Sequence, residues 1–568
     1  MIQKINTNNQ PVVKVFALGG LDENGKNLYC IETEDSIFII ECGSKYPDLT
    51  NPGVDIIIAD MSYLKDKADK VKAIIISHGH DDQYGGLPYL VKYISAPIYT
   101  TATTAIFINA DYGKKFKNIK FNFKIIKPSD DVLISGYHFH FFETTHAVME
   151  SFGFSMETKA GSIVYTGDYI SDFGVQGNFS FNLNKIAKIA NQKDTLLMLC
   201  ESSGADKPGI ASPTHKISPH IRSLIEEGEK RVFIALYTQN MYCINEVIEL
   251  AKKNNKRLVL TNNRFIDVLP DFMANGDLII PKQNQCSVEE ISRYASTDII
   301  VLITGQGEDL FDYIKDLSRG EVKNSTLKIT PEDVFVLACP PVPATEVIAT
   351  DAIDNLYKTG ATILNLNRKK LSSMHAQEED IKMLVTLFKP KYYMPVKGEF
   401  RQLMANAQIA LNLGYSHNSV LLLDNGMAAS FDAASKFIKV DNNIKTGNVF
   451  VDGLGVGDVR SSIIDERQQM QNGGVIILGA TISSKDHKII TMQDIQMRGF
   501  IYLKESESVV KIIQDMFNKF VNELIAGYKL TLEEQKAKFV DSLSKEIRRS
   551  CGKSPLIVPL IVDVDNLN

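Results

Sequence analysis

The chain holds 568 residues, room for about three or four domains at roughly 150 residues each. Its 62 Lys+Arg against 68 Asp+Glu leave a net charge of −6, a mild argument against a general coater of nucleic acid that leaves a local basic groove open. A hydrophobic fraction of 44% excludes a disordered chain. Seven scattered cysteines, at 30, 42, 200, 243, 286, 339 and 551, form no CxxC pair. A disulfide framework or Cys-type zinc site is therefore not expected, and a reducing, cytoplasmic setting is. Residues 1–13 lack the apolar stretch of a signal peptide. No run reaches the roughly 18 apolar residues of a membrane span, so no membrane partner is expected.

In chain order, short apolar runs ended by turns predict strands at 13–18, 36–41, 73–77, 98–100, 138–142, 162–165 and 195–200. Helical patterns fall at 61–67 and 86–94. Polar residues recur just after the strands: Glu41, His78, His80, His146, Asp168 and Glu201. Strand ends are where a site built across a sheet collects its side chains. This predicts a layered α/β domain with two sheets rather than a regular βαβ array. From about residue 217 the pattern becomes strand–helix alternation. Strand runs at 231–236, 257–261, 298–304 and 333–338, with helices at 245–253 and 346–359, predict a parallel sheet. Strands at 361–367 and 392–396 follow, then Lys397-Gly398-Glu399 and a helix at 400–413. Residues 445–458 read as a linker. A strand pair (475–481, 487–492), helices at about 507–528 and 531–549, and a strand at 556–562 predict a small α+β domain.

The strongest signal is Ile74-Ile75-Ile76-Ser77-His78-Gly79-His80-Asp81-Asp82-Gln83-Tyr84-Gly85-Gly86, a buried strand running into a loop with two His and two Asp in five positions. Imidazoles at i and i+2 can converge on one cation, and a carboxylate two positions on can reach a second. The bland reading is a polar turn before a helix. Against it stand His146 in Thr144-Thr145-His146 and Asp168 in Tyr165-Thr166-Gly167-Asp168. Each alone reads as structural; in this order they resemble the metallo-β-lactamase superfamily pattern HxHxDH, then His, then Asp.

The likeness extends over essentially the whole chain. Phe16-Ala17-Leu18-Gly19-Gly20 with Gly25-Lys26-Asn27 resembles ribonuclease J of the β-CASP group, as does Lys389-Pro390-Lys391-Tyr392-Tyr393-Met394-Pro395-Val396-Lys397-Gly398-Glu399-Phe400-Arg401. So do Val451-Asp452-Gly453 with Gly457-Asp458, Arg498-Gly499-Phe500 and Pro555-Leu556-Ile557-Val558-Pro559-Leu560. The resemblance implies an α/β fold: a metallo-β-lactamase αββα sandwich with an inserted β-CASP α/β domain and a small C-terminal α+β domain. The expected division is 1–208 and 362–444 for the split core, 209–361 for the β-CASP domain, 445–458 for the linker and 459–568 for the C-terminal domain. It further implies two zinc or manganese ions, RNA as substrate, 5′-to-3′ exonuclease and endonuclease action, and oligomerisation.

Departures from that pattern bear on function. Gln83 stands where HxHxDH has its last His, and an amide oxygen is a poorer zinc ligand than imidazole. Lys397 stands where the family's MPVHGE carries a metal-binding His; a protonated Lys has no lone pair to give, and its ammonium is expected near the second cation's place. Glu201, in Leu199-Cys200-Glu201-Ser202-Ser203, matches the family's acidic motif. The family's SGHxSQEE reads Ser372-Ser373-Met374-His375-Ala376-Gln377-Glu378-Glu379, so Met374 falls on the His without a gap and His375 with a one-residue deletion. One metal position thus keeps His78, His80, His146 and Asp168. The other keeps Asp82 and the shared Asp168. Asp82, Glu201, His375 and Lys397 are the catalytic candidates, Lys397 through electrostatic stabilisation of phosphate. The expected cofactor is one ion, zinc or manganese, at the retained position.

Three accounts follow: a catalytically impaired ribonuclease J paralogue serving as an RNA-binding or assembly subunit, as a homo-oligomer or with an active paralogue; an active nuclease using one metal or a rearranged pair; or a binding module without metal. The first is preferred. A small-molecule hydrolase is disfavoured by the β-CASP insertion and C-terminal domain. Ser202-Ser203-Gly204 and Tyr237-Thr238-Gln239-Asn240 are candidate phosphate contacts, with loop capping the bland alternative. Arg368-Lys369-Lys370, Lys389 with Lys391, and Arg548-Arg549 could line an RNA path. The stripe Val509, Ile512, Ile513, Met516 and Phe517 suits a domain core or an oligomer interface. Gly453-Leu454-Gly455-Val456-Gly457 is rejected as a phosphate loop because no βαβ start precedes it.

Overall fold

The computed structural model describes residues 11–48, 50–261, 263–323, 325–342, 345–453, 455–456, 461–500, 507–526 and 531–566. Two compact units divide the chain, one built from residues up to 46 and 56–449, the other from 47–55 and 450 onward.

Strand-forming runs rich in Ile, Val and Phe assemble the first unit into two facing sheets. One has eight strands in the order Phe437–Asp441, Ala428–Phe431, Val13–Gly19, Leu28–Thr33, Ile37–Ile40, Val71–Ile75, Ile98–Thr100 and Phe123–Ile125. The other has six: Tyr392–Val396, Thr195–Glu201, Gly161–Tyr165, Phe152–Thr158, Tyr137–Glu143 and Asp131–Ile134. Val15, Phe38 and Ile75 from the first sheet and Phe139, Phe154, Leu199 and Met394 from the second share one buried cluster. Burying each large side chain contributes about 1.5–3 kcal/mol. The helices Leu183–Gln192 and Glu378–Phe388 cover the second sheet through Ile186, Ile189, Ile381 and Leu384. The expected sandwich is observed. Leu28–Thr33 and Phe152–Thr158 had no strand signal; both are buried on nearly every residue, so the period-2 alternation that marks a one-sided strand is missing.

In the second sheet, Gly161–Tyr165, Thr195–Glu201 and Tyr392–Val396 run parallel, with Tyr165 opposite Leu199 and Glu201 opposite Val396. Their carboxyl ends therefore lie side by side, and Asp168, Glu201 and Lys397 come off one edge.

The insertion forms a six-stranded sheet, wholly parallel, in the order Gln285–Cys286, Arg257–Thr261, Ile299–Gly305, Val232–Tyr237, Val334–Leu337 and Thr362–Asn365. Phe233, Val301 and Phe335 meet Ile314 and Leu356 of the crossover helices in its core. Thr362–Asn365, which follows the 209–361 span expected for the insertion, pairs at the edge of this sheet.

In the second unit, Val475–Ser483 pairs antiparallel with Lys488–Arg498 and parallel with Leu556–Asp563. Helices Glu507–Ile525 and Leu532–Cys551 pack on this sheet. Val509, Ile513 and Phe517 are buried against Ile476, Leu478 and Ile557, which makes the stripe a domain core. A helix at Ser461–Gly473 went unpredicted because its sequence is mostly polar. The expected linker 445–458 contains a strand, Asn448–Asp452. The remainder of the glycine run at 453–457 lies partly outside the described residues.

Candidate metal centre

The loop that follows Val71–Ile75 carries His78 and His80 into the edge where the second sheet's strands end. Ser77 precedes them; its backbone N–H donates to the buried Glu41 carboxyl at 3.2 Å, and its Oγ lies 2.9 Å from His78 Nδ1. Burial pushes the Glu41 carboxyl up to about 8. Helix Asp81–Tyr84 then presents Asp82. The loop fits because residue 43 is glycine: a Cβ there would lie 1.7 Å from the Asp82 carbonyl oxygen. Gly167 supplies the positive φ of 62° that turns the chain into Asp168.

Four donor atoms converge. His78 Nε2 lies 3.1 Å from His80 Nδ1, which lies 3.2 Å from His146 Nε2. Asp168 Oδ2 lies 3.4 Å from His78 Nε2 and 3.7 Å from His146 Nε2. A tetrahedral ion with bonds near 2.0–2.1 Å separates its ligands by about 3.3 Å, so the spacing fits one divalent ion. The orientation fits as well. His146 Nδ1–H donates to the Met374 carbonyl at 2.7 Å, leaving Nε2 as a lone pair facing the other rings. Burial, then His78, pushes His80 down to about 3, and burial holds His146 well below the usual imidazole value; neutral rings are what a metal requires.

The adjacent half is built differently. Lys397, 2% exposed, has φ of +57°, its N–H on the Gly20 carbonyl and its own carbonyl accepting from Ser202. Its ammonium contacts Asp168 Oδ2 and lies 2.9 Å from Asp82 Oδ2. Burial works against that charge, but Asp168, then Asp82 and Glu201, more than offset it, and the pKa stands above the ordinary lysine value. Burial likewise raises both carboxyls, yet the ammonium brings Asp82 below, and Asp168 well below, the usual carboxylate value. Asn27, whose motif carried no assigned role, fixes Asp82: its Nδ2 donates to the Asp82 carbonyl at 2.9 Å and to Oδ2 at 3.1 Å. Gln83 is fully buried, and neither amide atom has a hydrogen-bond partner among the described residues. A second ion between Asp82 and Asp168 does not fit, because an ammonium already bridges them. The Lys397 charge is committed to two carboxylates and its side chain is buried.

His375 enters from the insertion side. Its Nδ1 lies 2.8 Å from Glu201 Oε2 and 3.8 Å from Asp168 Oδ2, while Met374 brings only its carbonyl. Glu201 Oε1 accepts from the N–H groups of Tyr169 and Ala376 at 2.8 and 3.1 Å. Asp168, Glu201 and His375 thereby form a second cluster of donors within 4.8 Å of one another. Of the candidate phosphate contacts, Ser202 Oγ donates to the Val396 carbonyl at 2.9 Å and Asn240 caps helix Met241–Lys253, whereas Ser203 Oγ and Thr238 Oγ1 are buried with no hydrogen-bond partner among the described residues. All seven cysteines are free.

A sandwich of two sheets with a histidine-rich cation site at its strand ends defines a metallo-β-lactamase-superfamily protein, and residues 21–195 match the profile of that superfamily. Residues 229–356 match the ribonuclease J β-CASP domain, 364–418 the Zn-dependent metallo-hydrolase RNA specificity domain and 462–564 the ribonuclease J C-terminal domain. Ribonuclease J2 of Bacillus subtilis is 30% identical over 564 residues, 99% of this chain and 100% of that one. Ribonuclease J 2 of Staphylococcus epidermidis is 28% identical, over 97% of this chain and 98% of its own. The chain belongs to the ribonuclease J family. A crystal structure of a protein of unknown function from Enterococcus faecalis shares the fold at 15% identity, with a TM-score of 0.51 over 74% of this chain and 100% of that one.

Proposed function

We propose that this ribonuclease J-family RNA-processing protein is an RNA-binding or assembly subunit with little or no nuclease activity of its own. One observation carries the reading: the Lys397 ammonium bridges Asp82 and Asp168, where a second cation would have to sit. In two-metal hydrolysis both ions share the work of activating water and stabilising the leaving oxygen; an ammonium supplies charge without Lewis acidity. His78, His80, His146 and Asp168 hold a single divalent ion, zinc or manganese, which when bound supplies Lewis acidity. His375 and Glu201 hold a proton between Nδ1 and Oε2 beside it, a pair able to donate to a departing oxygen. The subunit works in the cytoplasm, with a second copy or an active paralogue; among the described residues no helix is long and apolar enough to cross a membrane.

A second reading, an active 5′-to-3′ exoribonuclease or endoribonuclease with a rearranged pair of ions, is favoured by the Asp168, Glu201 and His375 cluster. Incubation of the metal-loaded protein with 5′-monophosphorylated RNA separates the two. The subunit reading expects binding with negligible degradation. Processive degradation that His80→Ala abolishes would overturn it in favour of an active nuclease using one metal or a rearranged pair.

A further inference from the structure

We propose that Lys397 competes with the divalent ion for Asp168, so that the three-histidine centre is an exchangeable, low-affinity cation site whose occupancy is limited by an internal ammonium. The geometry rests on one oxygen. Asp168 Oδ2 closes the donor set, 3.4 Å from His78 Nε2 and 3.7 Å from His146 Nε2, and the same Oδ2 is in contact with Lys397 Nζ. Asp168 Oδ1 is buried and has no hydrogen-bond partner among the described residues. The carboxylate oxygen that faces the imidazoles is thus already in contact with a charge of the incoming cation's own sign, in a buried place where screening is weak.

The ammonium has little room to withdraw. Both main-chain polar groups of Lys397 are hydrogen-bonded, and its other carboxylate partner, Asp82, is held by Asn27. Lys397 is thus a positioning residue acting through Asp168. Without metal it balances the two carboxylates and keeps the pocket assembled; with metal it opposes the ion. In a two-ion centre the cation at this place leaves and returns with the medium, whereas a lysine is present in every copy.

Competition presupposes the single-ion reading proposed above. The test titrates the full-length metal-free protein with Co²⁺ against a competing chelator, reading ion stoichiometry and the visible absorption of a tetrahedral cobalt site. Wild type should take one ion. Lys397→Met should also take one, with affinity at least about tenfold tighter; affinity unchanged or weaker overturns the proposal. If circular dichroism finds Lys397→Met folded only when the ion is present, the internal counter-cation is supported as well. Should Lys397→Met fail to fold under any condition, Lys397→His serves in its place, with the same tenfold gain expected for the first ion and the same overturning result. A wild type that takes two ions overturns competition and the single-ion reading together. RNA degradation by wild type, with the titration shift intact, counts against the proposed function alone.

Discussion

The two halves of the pocket start from the same loop and end in opposite chemistry. On one side, three imidazoles converge on a common point, the outer nitrogens of His78 and His146 held by a hydroxyl and a carbonyl. On the other, an ammonium lies between two carboxylates beside a buried glutamine. The first half gathers donors that need a cation; the second carries its cation on the chain. What separates them is two side chains, Gln83 and Lys397. On the proposed single-ion reading, the difference teaches that a two-metal scaffold can lose one metal without losing its electrostatic balance, provided that a residue of the right charge occupies the vacated place.

The largest expected effect comes from making the halves alike. Gln83→His with Lys397→His should raise bound metal from one ion per chain to two by elemental analysis. It should also raise degradation of 5′-monophosphorylated RNA by on the order of a hundredfold or more. Two ions without activity would mean that the surroundings have diverged too, and no second ion would break the comparison itself.

Removing the ammonium alone is the next largest. Lys397→Met leaves the buried Asp168 and the partly exposed Asp82 without a counter-charge, a loss of about 3–5 kcal/mol of stability, seen as a lower urea midpoint in chelator. Added divalent ion should restore most of that loss. A variant as stable as wild type in chelator would show that the carboxylates do not need the lysine.

The smallest effect sharpens the histidine half. Ser77→Ala removes the hydroxyl beside His78 Nδ1 and should weaken Co²⁺ binding by about tenfold while leaving the urea midpoint in chelator within about 1 kcal/mol of wild type. An equal loss in metal-free stability would make Ser77 a structural residue rather than one that orients a ligand.

Much of this was legible in the chain. His78, His80 and Asp82 are neighbours in sequence, and a strand running into a loop of such residues announces a cation site. The substitution at Lys397 was visible too, as was the charge it would bring. Whether Met374 or His375 reaches the site was not, because a one-residue shift in a loop carries no periodic signal; hydrogen bonding decides it, with His375 on Glu201 and the Met374 carbonyl on His146. Nor were the roles of Asn27 and Gly43 legible. Each acts on Asp82 across a gap of many residues, Asn27 by a hydrogen bond and Gly43 by the Cβ it lacks.

By itself the sequence determined the chemistry available: three imidazoles, the acidic partners, one lysine in place of a histidine, and strands long and apolar enough to carry them to one edge. Only the tertiary structure decided how that chemistry is shared. Parallel strand ends set side by side bring Asp168, Glu201 and Lys397 within reach across more than two hundred residues. Within that space a single carboxylate oxygen faces both the histidines and the ammonium. Which of the two holds it is a matter of distance and burial, because Coulomb attraction in a largely buried pocket depends on a few tenths of an ångström that no spacing along the chain encodes.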